Sequence, residues 1–413
     1  MKGQPLMNSA IAALIAAALL IFVFQDAFEV MLLPRRVHRR VRLTRFYFVG
    51  AWKLWCAVAL RLRPGPPRER FLSVFGALSM VILFVLWAGS LILGFGALEW
   101  VLQGPGVPGP GMQVSAQSPL TEQFYLSGVT FFTLGYGDVV PHSAAARTLA
   151  VFEAGSGIGF IAVVIGYLPV LYQLFSRREA HVIQLDARAG SPPTATTMLT
   201  RHAEADGLEK LDDLLREWEI WGSELLESHL SYPMLVYYRS QHDNQSWLAA
   251  IAAVMDCCAL ILVGVEEMKP LQARMTFAMA RQVIVEMARS FRVRPSRYAG
   301  GDRLPTSEYQ RMEAMFAEAG LCWKNGPDTQ ETLAALRATY EPLLDGLAVA
   351  LLLPLPTWIA AEDAADHWQR GHRGLIASRL IEQLSDRTNP IASSDAAAAS
   401  PARRLRARLK RDP

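Results

Sequence analysis

The stretch VTFFTLGYGDVVP, Val129 to Pro141, sets two glycines around a tyrosine and follows them with an aspartate, between two long apolar segments. Glycines at such spacing usually mark a turn or a phosphate loop. A phosphate loop needs a lysine and then serine or threonine after its second glycine, and a dinucleotide-binding turn needs a preceding strand and an acidic residue about 20 positions on. Neither is present. GSGIG, Gly155 to Gly159, has the wrong spacing and lies within an apolar run, so it reads as helix flexibility. What remains is the chemistry of the backbone itself. Non-helical backbone at membrane depth is tolerated only where protein buries it or where it lines a water-filled path. An extended strand whose carbonyls all face one way needs residues free to take positive φ, and Gly135 and Gly137 supply that freedom. Several such strands around one axis present rings of carbonyl oxygens that replace a cation's hydration shell. The hydroxyl of Thr133 adds an innermost ring.

A loop of this kind needs flanking elements that reach the same depth. With 413 residues, 52% hydrophobic and 19% charged, the chain is too apolar for an ordinary soluble enzyme and reads as partly membrane-embedded. The net charge of +3 is small, so any basic surface comes from local clustering. Cys56, Cys257, Cys258 and Cys322 show no C-x-x-C spacing and fit reduced thiols facing a cytosol. No charged side chain falls between Gly3 and Gln25, a length that can cross a hydrocarbon core needing about 20 apolar residues. Further apolar segments run from Phe71 to Leu102 and from Ala144 to Phe175, the last stopping at Arg177 and Arg178.

No lysine or arginine falls between Trp100 and Ala146, whereas Gln25 to Arg70 is crowded with them. The positive-inside rule turns the first stretch outward and the second towards the cytoplasm. One polarity then satisfies all three segments: out to in, in to out, out to in. A cleaved signal would leave the basic stretch outside, so residues 1–25 are read as an uncleaved transmembrane helix. Residues 26–70 form a basic segment. Its portion from Arg45 to Arg63 has an apolar core of about 15 residues, about 22 Å as a helix and short of the membrane core. It is read as an interfacial helix with Phe46, Tyr47, Trp52 and Trp55 at headgroup depth. Arg35, Arg36, Arg39 and Arg40, with Arg42 and Arg45, attract anionic lipid headgroups. Arg36, Arg39, Arg42 and Arg45 recur at every third position, as in a voltage sensor, but Arg35, His38 and Arg40 make the segment too polar to sit in lipid.

TLGYGD, Thr133 to Asp138, closely resembles the filter signature of the potassium-channel family, usually written T-V-G-Y-G-D. The resemblance covers residues 71–176, with an outer helix, a re-entrant pore helix, the filter and an inner helix. A lone G-Y-G would be weak; here it follows a threonine and a short amphipathic helix, and two spans flank it. The resemblance implies an all-α membrane protein and a passive homotetrameric channel of the cell membrane, voltage-independent, with potassium ions as the bound species, no organic cofactor and no catalytic residue. It implies that the carbonyls of Thr133, Leu134, Gly135 and Tyr136 coordinate dehydrated potassium, with Gly137 and Asp138 completing the filter. The Tyr136 ring would pack outward against the pore helix. Tyr125 stands where the family often carries an aromatic that hydrogen-bonds the filter aspartate, and Thr130 and Glu153 join it as filter support. Glu153 has a second reading, reaching the outer headgroups or pairing with Arg147. Gly157 lies where the family has its inner-helix hinge and Pro169 marks a kink nearer the cytoplasm; both residues alternatively serve close helix packing. Three departures bear on filter stability: Leu134 for the commoner Val or Ile, Phe132 for a second threonine, and Val129 where some bacterial members place a glutamate.

Pro119, Thr121 and Glu122 start the pore helix. Its carboxyl end aims a partial negative charge inward. The Pro/Gly-rich run Gln103 to Pro119 reads as an external turret. Residues 177–197 are expected to be a linker, because DARAGSPPTATT is rich in turn formers, and 198–385 a cytoplasmic all-α domain. Helical periodicity covers Leu208–Leu230, Gln272–Phe291, Glu308–Ala319, Thr329–Leu353 and Ala364–Leu384. Trp247 to Val265 is long enough to span, but Asp256 at its centre favours a buried soluble helix. Nothing in this half resembles a nucleotide-binding ring domain or points to nucleic acid, and its ligand or protein partner is not written in the sequence. His367 and His372 lack companions at metal spacing. Residues 386–413 read as a disordered basic tail. Two rival readings are a membrane-tethered sensor or scaffold with a non-conducting pore, and a potassium-uptake transporter subunit, whose degenerate pore repeats usually number four per chain.

Overall fold

The computed structural model describes residues 3–33, 43–103, 120–203, 206–240, 245–295 and 301–361. Arg35, Arg36, Arg39, Arg40 and Arg42, the turret, the 364–384 helix and the basic tail lie outside the described residues. All described residues fall in one compact unit that ends at Ala364. Among them the regular structure is helical, with one isolated bridge between Val265 and Trp323.

Among the described residues three helices are long and apolar enough to cross a membrane: α1 (Gly3–Met31), α3 (Pro66–Gln103) and α5 (Ala144–Ala189). The first runs six residues beyond the expected boundary at 25, because Asp26 is not an exposed charge that would end it. Asp26 is buried and accepts from the Thr44 amide at 3.2 Å, the Thr44 hydroxyl at 2.5 Å and the Trp87 indole at 3.1 Å. Thr44 opens the second helix, α2 (Leu43–Ala59), so one carboxylate ties α1, α2 and α3 together while accepting an amide at a helix start. At mid-height α1 lies against α3 where Gly94 has no side chain; a Cβ there would come within 2.7 Å of Leu20.

Helix α2 is amphipathic, and Trp52, expected at headgroup depth, is instead buried. Thr44, Phe48, Trp52 and Ala59 are buried, and Phe46, Val49, Leu54 and Val58 are exposed on the opposite side. The buried side is aromatic: Trp55 stacks on Phe71 of α3, and Phe48 stacks on Tyr237. The Trp52 indole donates to the Ala350 carbonyl at 2.8 Å, joining this helix to the distal domain.

At 46 residues α5 is about 69 Å long, more than twice a hydrocarbon core of about 30 Å. The linker expected over 177–197 is therefore mostly helix. Arg178, Glu179, Val182, Leu185 and Ala189 are buried along one stripe that carries α5 past the membrane before Gly190, at φ 90°, ends it. After four residues α6 (Ala195–Arg201) begins, capped by Thr194. The turn-forming composition marked the helix end and missed the buried stripe in front of it.

The distal domain continues with α7 (Gly207–Ser231), a 3₁₀ turn (Pro233–Tyr237), α8 (Trp247–Val263), α9 (Pro270–Phe291), α10 (Thr306–Glu318), α11 (Pro327–Ala338) and α12 (Glu341–Leu351). The single helix expected over 329–353 breaks in two because Pro342, lacking an amide hydrogen, starts a helix rather than continuing one. Helix α8 is the core of this domain, with every residue from Trp247 to Ile261 buried. Its Asp256 accepts from Tyr340 at 2.7 Å and pairs with Arg303, which also bonds Glu341 and the Pro356 carbonyl. Protein surrounds α8 on all sides.

Replacing Asp26 with alanine should strand the Thr44 and Trp87 donors at a cost of about 1–3 kcal/mol. Thermal unfolding of the detergent-solubilised chain should show a lowered midpoint, while the exposed change Ser73→Ala leaves it in place.

Candidate functional site

The loop is built from the end of α4 (Leu120–Phe131), the short helix between α3 and α5. Its last turn tightens through Phe132 N to Gly128 O at 3.1 Å, Thr133 N to Thr130 O at 3.0 Å and Leu134 N to Val129 O at 2.8 Å. Thr130 thus supports the loop through its backbone carbonyl. Beyond this turn the backbone alternates: Thr133, Gly135 and Gly137 have φ of 57°, 63° and 76°. In an ordinary strand successive residues face opposite ways. Placing every second residue in the left-handed region counters that alternation and brings carbonyls towards one side. Gly135 and Gly137 were legible in sequence; Thr133 was not. A β-branched residue at positive φ costs about 1–3 kcal/mol and persists only where its surroundings over-determine it.

Residues Phe132 to Asp138 are all exposed in the single chain, so the loop forms an open face. The Tyr136 ring, expected to pack on the pore helix, is 67% exposed and does not lie against its own α4. Tyr125 and Asp138 do meet as expected, with the phenol donating to the carboxylate at 2.8 Å. This bond ties the outer end of the loop back to the helix that starts it.

Behind α4 the inner helix passes unusually close. A Cβ at Gly157 would lie 1.9 Å from the Phe131 carbonyl oxygen, so only glycine allows α5 to reach the end of α4. Gly155 and Gly159 have nothing within 4 Å. Helix α5 is continuous through both Gly157 and Pro169. Glu153, one turn above Gly157, is fully buried and bonds the hydroxyl of Ser127 in α4. Arg147 donates to the Pro141 carbonyl at 3.1 Å instead of pairing with Glu153. Sequence reasoning passed over Ser127, which carries no motif; its only signal is its position one turn after the buried Gln123.

A family model described as ion channel matches residues 80–173, the stretch that holds the outer helix, α4, the loop and most of the membrane part of α5. The LctB protein of Geobacillus stearothermophilus is 37% identical over 95 residues, covering 21% of this chain and 70% of that protein. The chain belongs to the ion channel family, with a pore of the potassium-channel type. The LctB protein of Bacillus caldotenax is 36% identical over a stretch of the same length. An uncharacterized membrane protein of Bacillus subtilis (strain 168), YdjJ, is 22% identical over 200 residues, covering 48% of this chain, which spans 56% of the length of that relative. No solved structure matches the chain.

Beyond the matched stretch the chain carries a junction that no motif announced. Arg178 of α5 is buried and donates to the carbonyls of Leu235 at 3.0 Å and Tyr238 at 2.7 Å, while pairing with Glu179. The Tyr238 ring sits between Phe175 of α5 and Gly76 of α3, where a Cβ would come within 2.8 Å of it. The 3₁₀ turn is thereby wedged between outer and inner helices. His229 of α7 completes the junction, with Nδ1 2.9 Å from the Leu225 carbonyl and Nε2 3.3 Å from Arg178. Burial and the neighbouring guanidinium hold its imidazole well below the usual histidine range, so it is neutral, donating from Nδ1 and accepting at Nε2.

The unfolded chain takes up a proton at His229 near pH 6.5, where the folded chain does not, so stability is full above that pH and declines as pH falls below it. His202, lowered by burial, adds a smaller contribution of the same sign. Thermal melts of the wild type should therefore lose midpoint from pH 6.5 downward, and His229→Gln should flatten that slope. Gly157→Ala forces a methyl group into backbone and should lower the melting midpoint by an amount equivalent to about 1–3 kcal/mol. Gly159→Ala, with open space around it, should leave the midpoint unchanged or raise it.

Proposed function

We propose that this chain is the subunit of a potassium-selective channel in which four copies place Thr133 to Asp138 around a shared axis. Potassium moves passively, without its hydration shell, past the carbonyls of Thr133, Leu134, Gly135 and Tyr136. The observation that carries the reading is the alternating positive φ of Thr133, Gly135 and Gly137 at the end of a re-entrant helix, on a face the single chain leaves open. Exposed Val151, Ile158, Ile165 and Tyr172 recur every seventh residue down α5, a stripe suited to the inner helices of further copies. The exposed Tyr136 ring finds its packing partner in a neighbouring copy on the same reading.

On this reading the distal helical domain lies on the cytoplasmic side, which the asymmetry of the basic residues supports. There the continuous α5 and the Arg178 junction make it the element that biases the gate. Helix α2 lies at the inner headgroups with Phe46 and Leu54 towards lipid, and Lys53 and the preceding arginines draw anionic headgroups.

The test is the reversal potential of the purified protein in planar bilayers under a potassium gradient against sodium. Potassium selectivity predicts a value near the potassium equilibrium potential; a value near zero refutes it. Gly135→Ala places a methyl group at a positive-φ position and should abolish selective current while the distal domain keeps its helical signal in circular dichroism.

A further inference from the structure

Glu99 of α3 and Glu153 of α5 are both fully buried, at 0% exposure, and their carboxyl groups face each other behind α4. Neither oxygen of Glu99 has a hydrogen-bond donor from the protein, and one oxygen of Glu153 also lacks one. The other oxygen of Glu153 meets the Ser127 hydroxyl, which also lies 2.8 Å from the Ile92 carbonyl. A carbonyl only accepts, and Ser127 has one hydrogen to give. The cluster is therefore short of hydrogens as well as of positive charge.

Among the described residues, the elements around the pair offer no cation. The outer half of α1 carries no charged side chain before Asp26. Gln123 and Ser127, the polar residues on the buried side of α4, are neutral, and Glu122 is exposed. On α5, Arg147 is turned to the Pro141 carbonyl, and Asp138 beyond the loop is held by Tyr125. Two buried carboxylates in contact and without a counter-charge do not both ionise. A proton between them gives the orphaned oxygens the donor they lack.

We propose that Glu99 and Glu153 form a proton-binding site behind the pore helix, which holds at least one proton at neutral pH and alters permeation when it releases that proton to an alkaline outer solution. Both residues lie in the outer half of the span: Glu99 is four residues from the end of α3, about 6 Å along the axis. Release leaves two negative charges against Ser127, two residues before the Val129 carbonyl that anchors the loop. The effect on permeation rests on the channel reading above; the proton does not.

Infrared spectra of the full chain in lipid test the site without requiring current. The wild type should show a protonated-carboxyl band at neutral pH that fades on alkalinisation and is lost when Glu99→Gln and Glu153→Gln are combined. Difference spectra in which both substitutions, singly and together, remove only ionised-carboxylate bands overturn the proposal. Potassium flux into vesicles, followed over the same range of outer pH, should change in the wild type and lose that dependence in both variants. A wild-type flux indifferent to pH across the titration of the band overturns the coupling to permeation. The band together with no flux from any protein supports the proton site and overturns the channel reading. Ser127→Ala keeps both carboxyl groups and should retain the band, which separates loss of the proton from loss of the fold.

Discussion

Backbone that leaves helical geometry at membrane depth must be held by protein, because lipid offers its amides and carbonyls nothing. The loop after α4 meets this constraint with very few contacts. Three backbone bonds close the last turn of α4, one phenol reaches forward to Asp138, and the remaining carbonyls are left to the open side. That economy works only if α4 itself cannot move. Gly157 seats α5 directly on the Phe131 carbonyl, and Ser127 joins α4 to both flanking helices through Ile92 and Glu153. The strain of a β-branched residue at positive φ is thus borne by the packing of α3, α4 and α5, outside the loop itself.

The junction at the far end of α5 is built on a different balance. A buried guanidinium costs several kcal/mol unless it is paired and fully bonded. Arg178 has a carboxylate, two carbonyls and an imidazole nitrogen around it, so its burial is compensated only while the 3₁₀ turn and α7 stay in place. Tyr238 adds shape to charge by filling the space that Gly76 leaves on α3. Neutral His229 is part of the same balance, since a second positive charge there would oppose Arg178 directly.

How much of this was legible in the sequence depended on whether a residue's role shows in its type. Gly135 and Gly137 declare positive φ because no other residue takes it freely, and three apolar runs with asymmetric arginines declare the spans. Tyr125 and Asp138 were found through a family motif that fixes their spacing. Thr133 was half visible: its hydroxyl was noticed, but its left-handed backbone has no marker in a threonine. The helical extension of α5 was hidden because Val182, Leu185 and Ala189 form a sparse stripe among charges, next to a stretch that looks like a linker. The Tyr136 ring, expected to pack outward against the pore helix, is exposed in the single chain. Ser127 and Arg178 act through burial and through partners distant in sequence, which no local pattern reports.

The two anchors of α5 also decide where that helix can yield. Gly157, read from sequence as a hinge or as a site of close helix packing, is a point of contact against Phe131. Arg178 pins the helix again six turns below. Between them only Tyr167, Leu171 and Phe175 are buried, on one stripe, while Ile158, Ile165, Leu168 and Tyr172 are exposed in the single chain. Pro169 lies in this same stretch and removes one backbone hydrogen bond from it. On the channel reading, a displacement of the distal domain acts on α5 through Arg178 and is absorbed around Pro169 before it reaches Gly157. The loop then keeps its geometry while the inner end of the pathway changes width, a separation of filter from gate that follows from where the helix is held.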